Sequence, residues 1–254
     1  MRLTVIGCSG SFPGPDSPAS CYLIQAPYEG RTFSIVLDLG PGALGALQRV
    51  LDPRELDAVM LTHLHPDHCL DCTGLFVTRR YDPRGLPSGR LPVYGPAGTA
   101  DRLAAAYEGI DEHGMTREFD FRRLMDGVPI HIGPFTVTPR LVNHPVEAYG
   151  FRVEHEGKVL AYSGDTDACD ALRSLCADAD LVLADSAFVE GRDTARGIHM
   201  TGRQCAQAAL DAGARRLLLT HIPAWNDPEV CRADAAAVWP GEVELAQPLA
   251  VLDL

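Results

Sequence analysis

The chain has 254 residues, 46% of them hydrophobic, with 22 Lys+Arg against 34 Asp+Glu and a formal net charge of −12. This balance excludes a disordered chain, a collagen and a small disulfide scaffold, and no apolar run approaches the ~20 residues that cross a bilayer. An acidic surface repels a phosphate backbone, so a long nucleic acid starts as a disfavoured partner. Strands are expected at 3–6, 20–25 and 32–37, separated by Gly/Pro-rich turns. Helical apolar spacing over 42–51 stops at Asp52-Pro53; 58–61 reads as a short buried strand and the Ala-rich 99–107 as a helix. Further strands follow at 135–141, 149–154 and 158–163, the last two joined as a hairpin through Glu156-Gly157. Next come a helix over 167–176, a buried strand at 181–184, and a helix over 201–213 with Thr201 and Gln204 at capping-box spacing and Gly213 to end it. A strand at 216–220 and a closing helix over 228–239 complete the pattern. No internal repeat or Pro/Ser/Gly-rich linker divides the chain, so one α/β domain is expected over residues 1–254.

Eight scattered cysteines contain one CxxC, Cys69 and Cys72, with no second to complete a zinc knuckle. They read as free thiols of a reducing cytoplasm. Val5-Ile6-Gly7-Cys8 looks like a lipoprotein cleavage box, but the apolar stretch before it is far too short for a secretory segment. It reads as the first strand instead, and the expected location is cytoplasmic.

The informative segment is Thr62-His63-Leu64-His65-Pro66-Asp67-His68, between a short apolar strand and a helix. His63 and His65 are two apart in an extended turn, so their rings project to one side. Asp67 and His68 add a carboxylate and a third imidazole where the chain turns. Chance yields this HxHxDH pattern on the order of once in a thousand such chains. Imidazoles and carboxylates without thiolates suit Zn2+, Mn2+ or Fe2+, with Zn2+ favoured by affinity. Four donors in six residues cannot close on one ion without strain, so two divalent ions completed from elsewhere are expected. His144, Asp165 and His221 each follow a buried apolar strand, where side chains converge on one edge of an α/β sheet.

HxHxDH, His144, Ser163-Gly164-Asp165-Thr166 and Leu218-Leu219-Thr220-His221 together resemble the metallo-β-lactamase fold superfamily across essentially the whole chain. The resemblance implies an αββα sandwich of two mixed sheets with helices outside. It implies that His63, His65 and His144 hold one ion, that Asp67, His68 and His221 hold the other, and that Asp165 bridges them around a water or hydroxide. His199, just before the capped helix, resembles the histidine that helps the leaving oxygen in the ribonuclease Z-like branch. A Glu partners it there; here Asp185, one methylene shorter, stands in that place. Asp67, His199 and Asp185 are thus the catalytic candidates, with a solvent-facing His199 as the alternative. The loop from Gly7 to Leu23 also resembles that branch, and a plain turn between strands explains it equally well.

The β-lactamases generally lack the carboxylate in HxHxDH and the bridging Asp. Related thioesterases add a helical domain after the last ligand, whereas 33 residues follow His221. Enzymes that process tRNA 3′ ends carry a long arm between the third-His and bridging-Asp motifs; His144 and Asp165 are 21 apart (165 − 144). The linear arrangement is similar to actinobacterial proteins regarded as atypical cyclic-nucleotide phosphodiesterases. The resemblance therefore implies hydrolysis of a small phosphodiester, cyclic AMP foremost, by hydroxide held between two ions, in a homodimer. A tRNA 3′-processing endoribonuclease, and a lactonase or thioesterase of the same fold, are the alternatives.

Overall fold

The computed structural model describes residues 1–85, 87, 89–107 and 113–254. The first half runs β1 (Arg2–Gly7), β2 (Cys21–Tyr28), β3 (Arg31–Leu37), α1 (Ala43–Leu47), β4 (Ala58–Met60), α2 (Pro66–Cys69), α3 (Cys72–Tyr81), β5 (Leu91–Gly95), α4 (Thr99–Ala106) and β6 (Phe119–Arg123). The second runs β7 (Ile130–Ile132), β8 (Phe135–Leu141), β9 (Tyr149–His155), β10 (Lys158–Tyr162), α5 (Ala171–Leu175), β11 (Leu181–Asp185), α6 (Gly202–Asp211), β12 (Leu217–Thr220), α7 (Pro228–Ala236), β13 (Val243–Leu245) and β14 (Val251–Asp253).

These strands make two seven-stranded mixed sheets, in the orders β14-β1-β2-β3-β4-β5-β6 and β13-β12-β11-β10-β9-β8-β7. Alternate residues of each strand bury opposite faces, so each sheet is apolar on both sides. The inner faces meet through Ile24, Ile35, Phe135, Phe151 and Leu160, with the Tyr22 and Tyr162 rings 4.8 Å apart across the seam. One outer face packs on α1, α3 and α4 through Leu44, Leu75, Phe76 and Leu103. The other packs on α5, α6 and α7 through Leu172, Ala206, Ala209 and Cys231. Each fully buried large side chain contributes roughly 1.5–3 kcal/mol. This is the αββα sandwich.

Local readings hold where chemistry is local. Thr201 and Gln204 form the reciprocal capping box at the start of α6, and Gly213 closes the turn after it with φ 72°. Glu156 and Gly157 take φ 49° and 76°, as a two-residue hairpin between β9 and β10 demands. Two helices are half the length their apolar spacing predicts. α1 covers only five residues of the expected 42–51, and α5 begins at Ala171 because Asp167 is engaged elsewhere: its carboxylate accepts from the Arg196 side chain and from Gly197 N. All eight cysteines are free thiols, six of them buried. Among the described residues no helix is long and apolar enough to cross a membrane.

Register places the chemistry. β3 through β6 are mutually parallel, as are β10 through β13, and β8 runs with β10 because β9 is antiparallel to both. Thr62-His63, Asn143-His144, Gly164-Asp165, Asp185 and Thr220-His221 lie at or just beyond the C-terminal ends of β4, β8, β10, β11 and β12.

Candidate metal centre

Two sets of donors come together at that edge. His63, His65 and His144 form one, and Asp67, His68, Asp165 and His221 the other, the donor atoms within each set all lying within 4.8 Å of one another. In the first, Nδ1 of His65 lies 3.0 Å from Nε2 of His63 and 3.1 Å from Nε2 of His144. Nitrogens at ~2.0–2.1 Å from a tetrahedral ion sit about 3.3 Å apart, so this spacing fits one shared cation. Burial lowers the pKa of all three rings, helped for His63 by the charge of His68, which favours the neutral, ligating form.

In the second set, Asp165 is buried and reaches both groups. Its Oδ1 is 3.1 Å from His68 Nε2, and its Oδ2 is 3.2 Å from His221 Nε2 and 3.7 Å from His63 Nε2. Asp67 Oδ2 stands 3.4 Å from His68 Nε2 and 3.7 Å from His221 Nε2. Nevertheless His68 Nε2, His221 Nε2 and Asp165 Oδ1 are buried without a hydrogen bond. Three orphaned polar atoms cost on the order of 1–3 kcal/mol each if nothing else meets them. A divalent cation meets all three, so the residues fit the group. Burial works against both charges, but Asp165 is held well below the usual carboxylate range by His221 and His68, and Asp165 and Asp38 push His68 up; a bound cation would take the place of the Nε2 proton that this shift favours.

Three of the rings are oriented from behind, as metal-ligating imidazoles need. His144 Nδ1 donates to Ile198 O at 2.9 Å, and His221 Nδ1 lies 2.9 Å from Ser20 Oγ. His68 Nδ1 donates to Asp38 Oδ2 at 2.8 Å, which leaves Nε2 as its ligand atom. Asp38 was not anticipated from the sequence. It is fully buried at φ 60°, accepts also from Thr62 N at 2.7 Å and Tyr162 OH at 2.8 Å, and binds the start of the motif to β10. Its one local signal is an Asp directly after a buried strand, a residue type that tolerates the left-handed region. His221 shares that conformation, at φ 56°. Gly40 lets the backbone close on the motif: a Cβ there would fall 1.9 Å from Asp67 O.

His199 joins the same edge. Its Nδ1 donates to Asp185 Oδ2 at 2.8 Å and lies 4.0 Å from Asp165 Oδ2, and its ring stands 5.6 Å from that of His144 and 5.4 Å from that of His221. The shorter Asp side chain therefore reaches. Thr166 N and Ala187 N, each 3.1 Å away, fix the Asp185 carboxylate in turn. Burial opposes a charge on His199, but the Asp185 carboxylate prevails and raises its pKa to about 9. His113 and His131 are exposed and outside the clusters, and His155 Nδ1 donates to Pro134 O.

Two sheets with helices outside them and a paired imidazole–carboxylate centre at one sheet edge define a metallo-hydrolase of the αββα class. The beta-lactamase superfamily domain model matches residues 34–222, and the chain belongs to that superfamily. It is 47% identical over 248 residues to an uncharacterized protein of Mycobacterium leprae, covering 96% of this chain and 85% of that one. The metallo-β-lactamase fold protein YhfI of Bacillus subtilis is 30% identical over 248 residues, 97% of each chain. Its crystal structure superposes with a TM-score of 0.86 at 28% identity, covering 99% of each. Ribonuclease Z of Bacillus licheniformis is 26% identical over 277 residues, 88% of this chain and 89% of it.

Metal binding predicts a thermal signature. With free metal ~1,000-fold above its Kd, linkage stabilises the fold by about 4 kcal/mol, worth roughly 8–16 °C in a domain of this size. A chelator titration followed by circular dichroism is expected to lower Tm by that amount. An unmoved Tm would show that the clusters hold no ion.

Proposed function

We propose that this chain hydrolyses a small phosphodiester, a cyclic nucleotide foremost and cyclic AMP in particular. His63, His65 and His144 hold one divalent ion, Asp67, His68 and His221 a second, and Asp165 both, with Zn2+ preferred and Mn2+ or Fe2+ as substitutes. Two such ions, when bound, acidify water toward a pKa of ~7 and polarise a phosphoryl oxygen.

The observation that carries the phosphodiester reading is the His199–Asp185 pair. An alkoxide leaving phosphorus is strongly basic and needs a proton as it departs. Asp185 accepts a hydrogen bond from Nδ1–H of His199 and favours the doubly protonated ring, so the Nε2 proton is left to be donated. The relationship to ribonuclease Z supports phosphodiester chemistry. A small substrate is supported by the interval between His144 and Asp165, which is filled by the β9–β10 hairpin, and by the −12 charge. Bound ions can attract one phosphate into the site while the acidic surface disfavours a polyanion. We place the protein in a reducing cytoplasm, where eight free thiols persist, and expect a homodimer.

His199→Ala is expected to keep its metal and lose ~10²-fold in rate, the scale of one acid–base group. Metal content by plasma emission and kcat on cyclic AMP check this together, and an unchanged rate would remove His199 from the chemistry. A panel of cyclic AMP, bis-p-nitrophenyl phosphate, precursor tRNA, a lactone and nitrocefin tests the substrate class. Turnover of both small diesters is expected; turnover of the lactone alone, or of precursor tRNA alone, overturns the reading.

A further inference from the structure

Trp225 and Phe12 make an aromatic pair outside all three apolar cores. Trp225 is 65% exposed and Phe12 37%, with ring centroids 4.8 Å apart at a 42° tilt. Both are tied to His221. Trp225 follows it by four residues, so the two Cα atoms are at most about 14 Å apart. Phe12 follows Gly10 by two, and Gly10 is pressed onto His221: a Cβ there would fall 2.2 Å from the His221 carbonyl oxygen and 2.9 Å from its ring Cδ2.

The two loops are held in place. Gly10 N donates to Ile222 O at 3.3 Å, and Ser9 Oγ donates to Phe12 O at 2.7 Å across a turn in which Ser11 takes φ 63°. On the other side Asn226 N donates to Pro223 O at 2.8 Å and its Nδ2 donates to Ala187 O at 2.8 Å. An indole carried on a loop held in this way keeps a broad apolar face in water, paired with Phe12 beside the candidate centre, where a ligand can cover it.

We infer that Trp225 and Phe12 form a stacking platform for the base of a nucleotide whose phosphoryl group sits at the centre containing His221. This rests on the phosphodiester reading and narrows it to nucleotides. Stacking on an aromatic ring reads the π-face of a base and not its hydrogen-bonding edge, so the platform selects for the presence of a base, and for purines by area, without choosing between adenine and guanine. Phe12 supports the indole from the side and sets its tilt. The phosphate then reaches the His221 clusters from a base already anchored a few residues away.

Fluorescence of the metal-loaded full chain tests this. The other tryptophan, Trp239, is 6% exposed, so quenching by an added ligand reports Trp225. Adenosine 5′-monophosphate is expected to quench and ribose 5-phosphate to leave the emission unchanged, with the quench lost in Trp225→Phe. Trp225→Ala is expected to raise KM for cyclic AMP about ten-fold with kcat within about two-fold, and Trp225→Phe to recover most of that. Equal responses to the two phosphates, or an unchanged KM alongside normal cyclic AMP turnover, overturn the platform and leave the phosphodiesterase standing. A lower oligomeric state in Trp225→Ala with KM unchanged also overturns it, assigning the aromatic pair to a second copy. Quenching by the nucleotide with no diester turned over overturns the hydrolytic reading alone.

Discussion

Asp165→Ala is expected to lose metal and activity together. Its carboxylate is buried and lies within 3.7 Å of Nε2 atoms in both clusters, His63 on one side and His68 and His221 on the other. Changes behind a metal ligand typically cost 10–100-fold in affinity, so removing the shared ligand itself is expected to cost at least ~100-fold. Activity depends on charge stabilisation worth several kcal/mol from the ions, and each 1.36 kcal/mol is tenfold in rate. A loss of ~10³-fold or more follows. The fold is expected to survive, because His68 keeps its buried partner Asp38 at 2.8 Å. Metal content after dialysis, turnover of bis-p-nitrophenyl phosphate and Tm of the metal-free protein separate these effects. A variant that retained both ions would show that Asp165 bridges nothing.

The contrast between His63 and Asp38 shows how much of this centre could be read in advance. His63, His65, Asp67 and His68 are consecutive or nearly so, and their geometry follows from one extended turn running into α2, where Pro66 occupies the first turn and fixes the backbone. His144, Asp165 and His221 are far apart in sequence but share a local signature, a donor just past a buried strand. Asp38 carries half of that signature and sits in no metal-binding pattern, because its role is to hold His68 thirty residues away. Ser20, behind His221, lies 201 residues from it. Such partners come from the register between strands, which residue spacing does not encode.

The same limit governs the fold. Long apolar elements such as β2, β3, β9 and α6 declare themselves by period and cap. The strands that escape sequence reading, β5, β6, β7, β13 and β14, have three to five residues each. They are strands because a neighbour's edge accepts them. β14 is the clearest case: Val251 and Asp253 are exposed, and its pairing partners are Thr4, Leu3 and Arg2 at the other end of the chain. Periodicity supports an α/β class, whereas the sandwich depends on two sheets facing each other across Tyr22 and Tyr162.

Substitution of Asp38 is expected to separate stability from metal binding. In Asp38→Ala four buried donors lose their acceptor: Thr62 N, Thr62 Oγ1, Tyr162 OH and His68 Nδ1. Breaking a buried charged pair of this kind costs about 3–5 kcal/mol, or roughly 6–20 °C in Tm at this chain length. Alanine also tolerates φ 60° poorly. Asp38→Asn keeps the volume, suits the left-handed backbone and still accepts from Thr62 through Oδ1, so its loss in Tm is expected to be the smaller of the two. Its Nδ2, however, turns a donor toward His68. The imidazole answers by moving its proton from Nδ1 to Nε2, and a protonated Nε2 has no lone pair for a cation. Metal affinity in Asp38→Asn is therefore expected to fall about 10–100-fold while the protein stays folded, and Asp38→Ala loses both. Calorimetric metal titration beside thermal melts of the two variants reads this split. An Asp38→Asn protein that binds both ions like the parent would show that His68 takes its tautomer from another source.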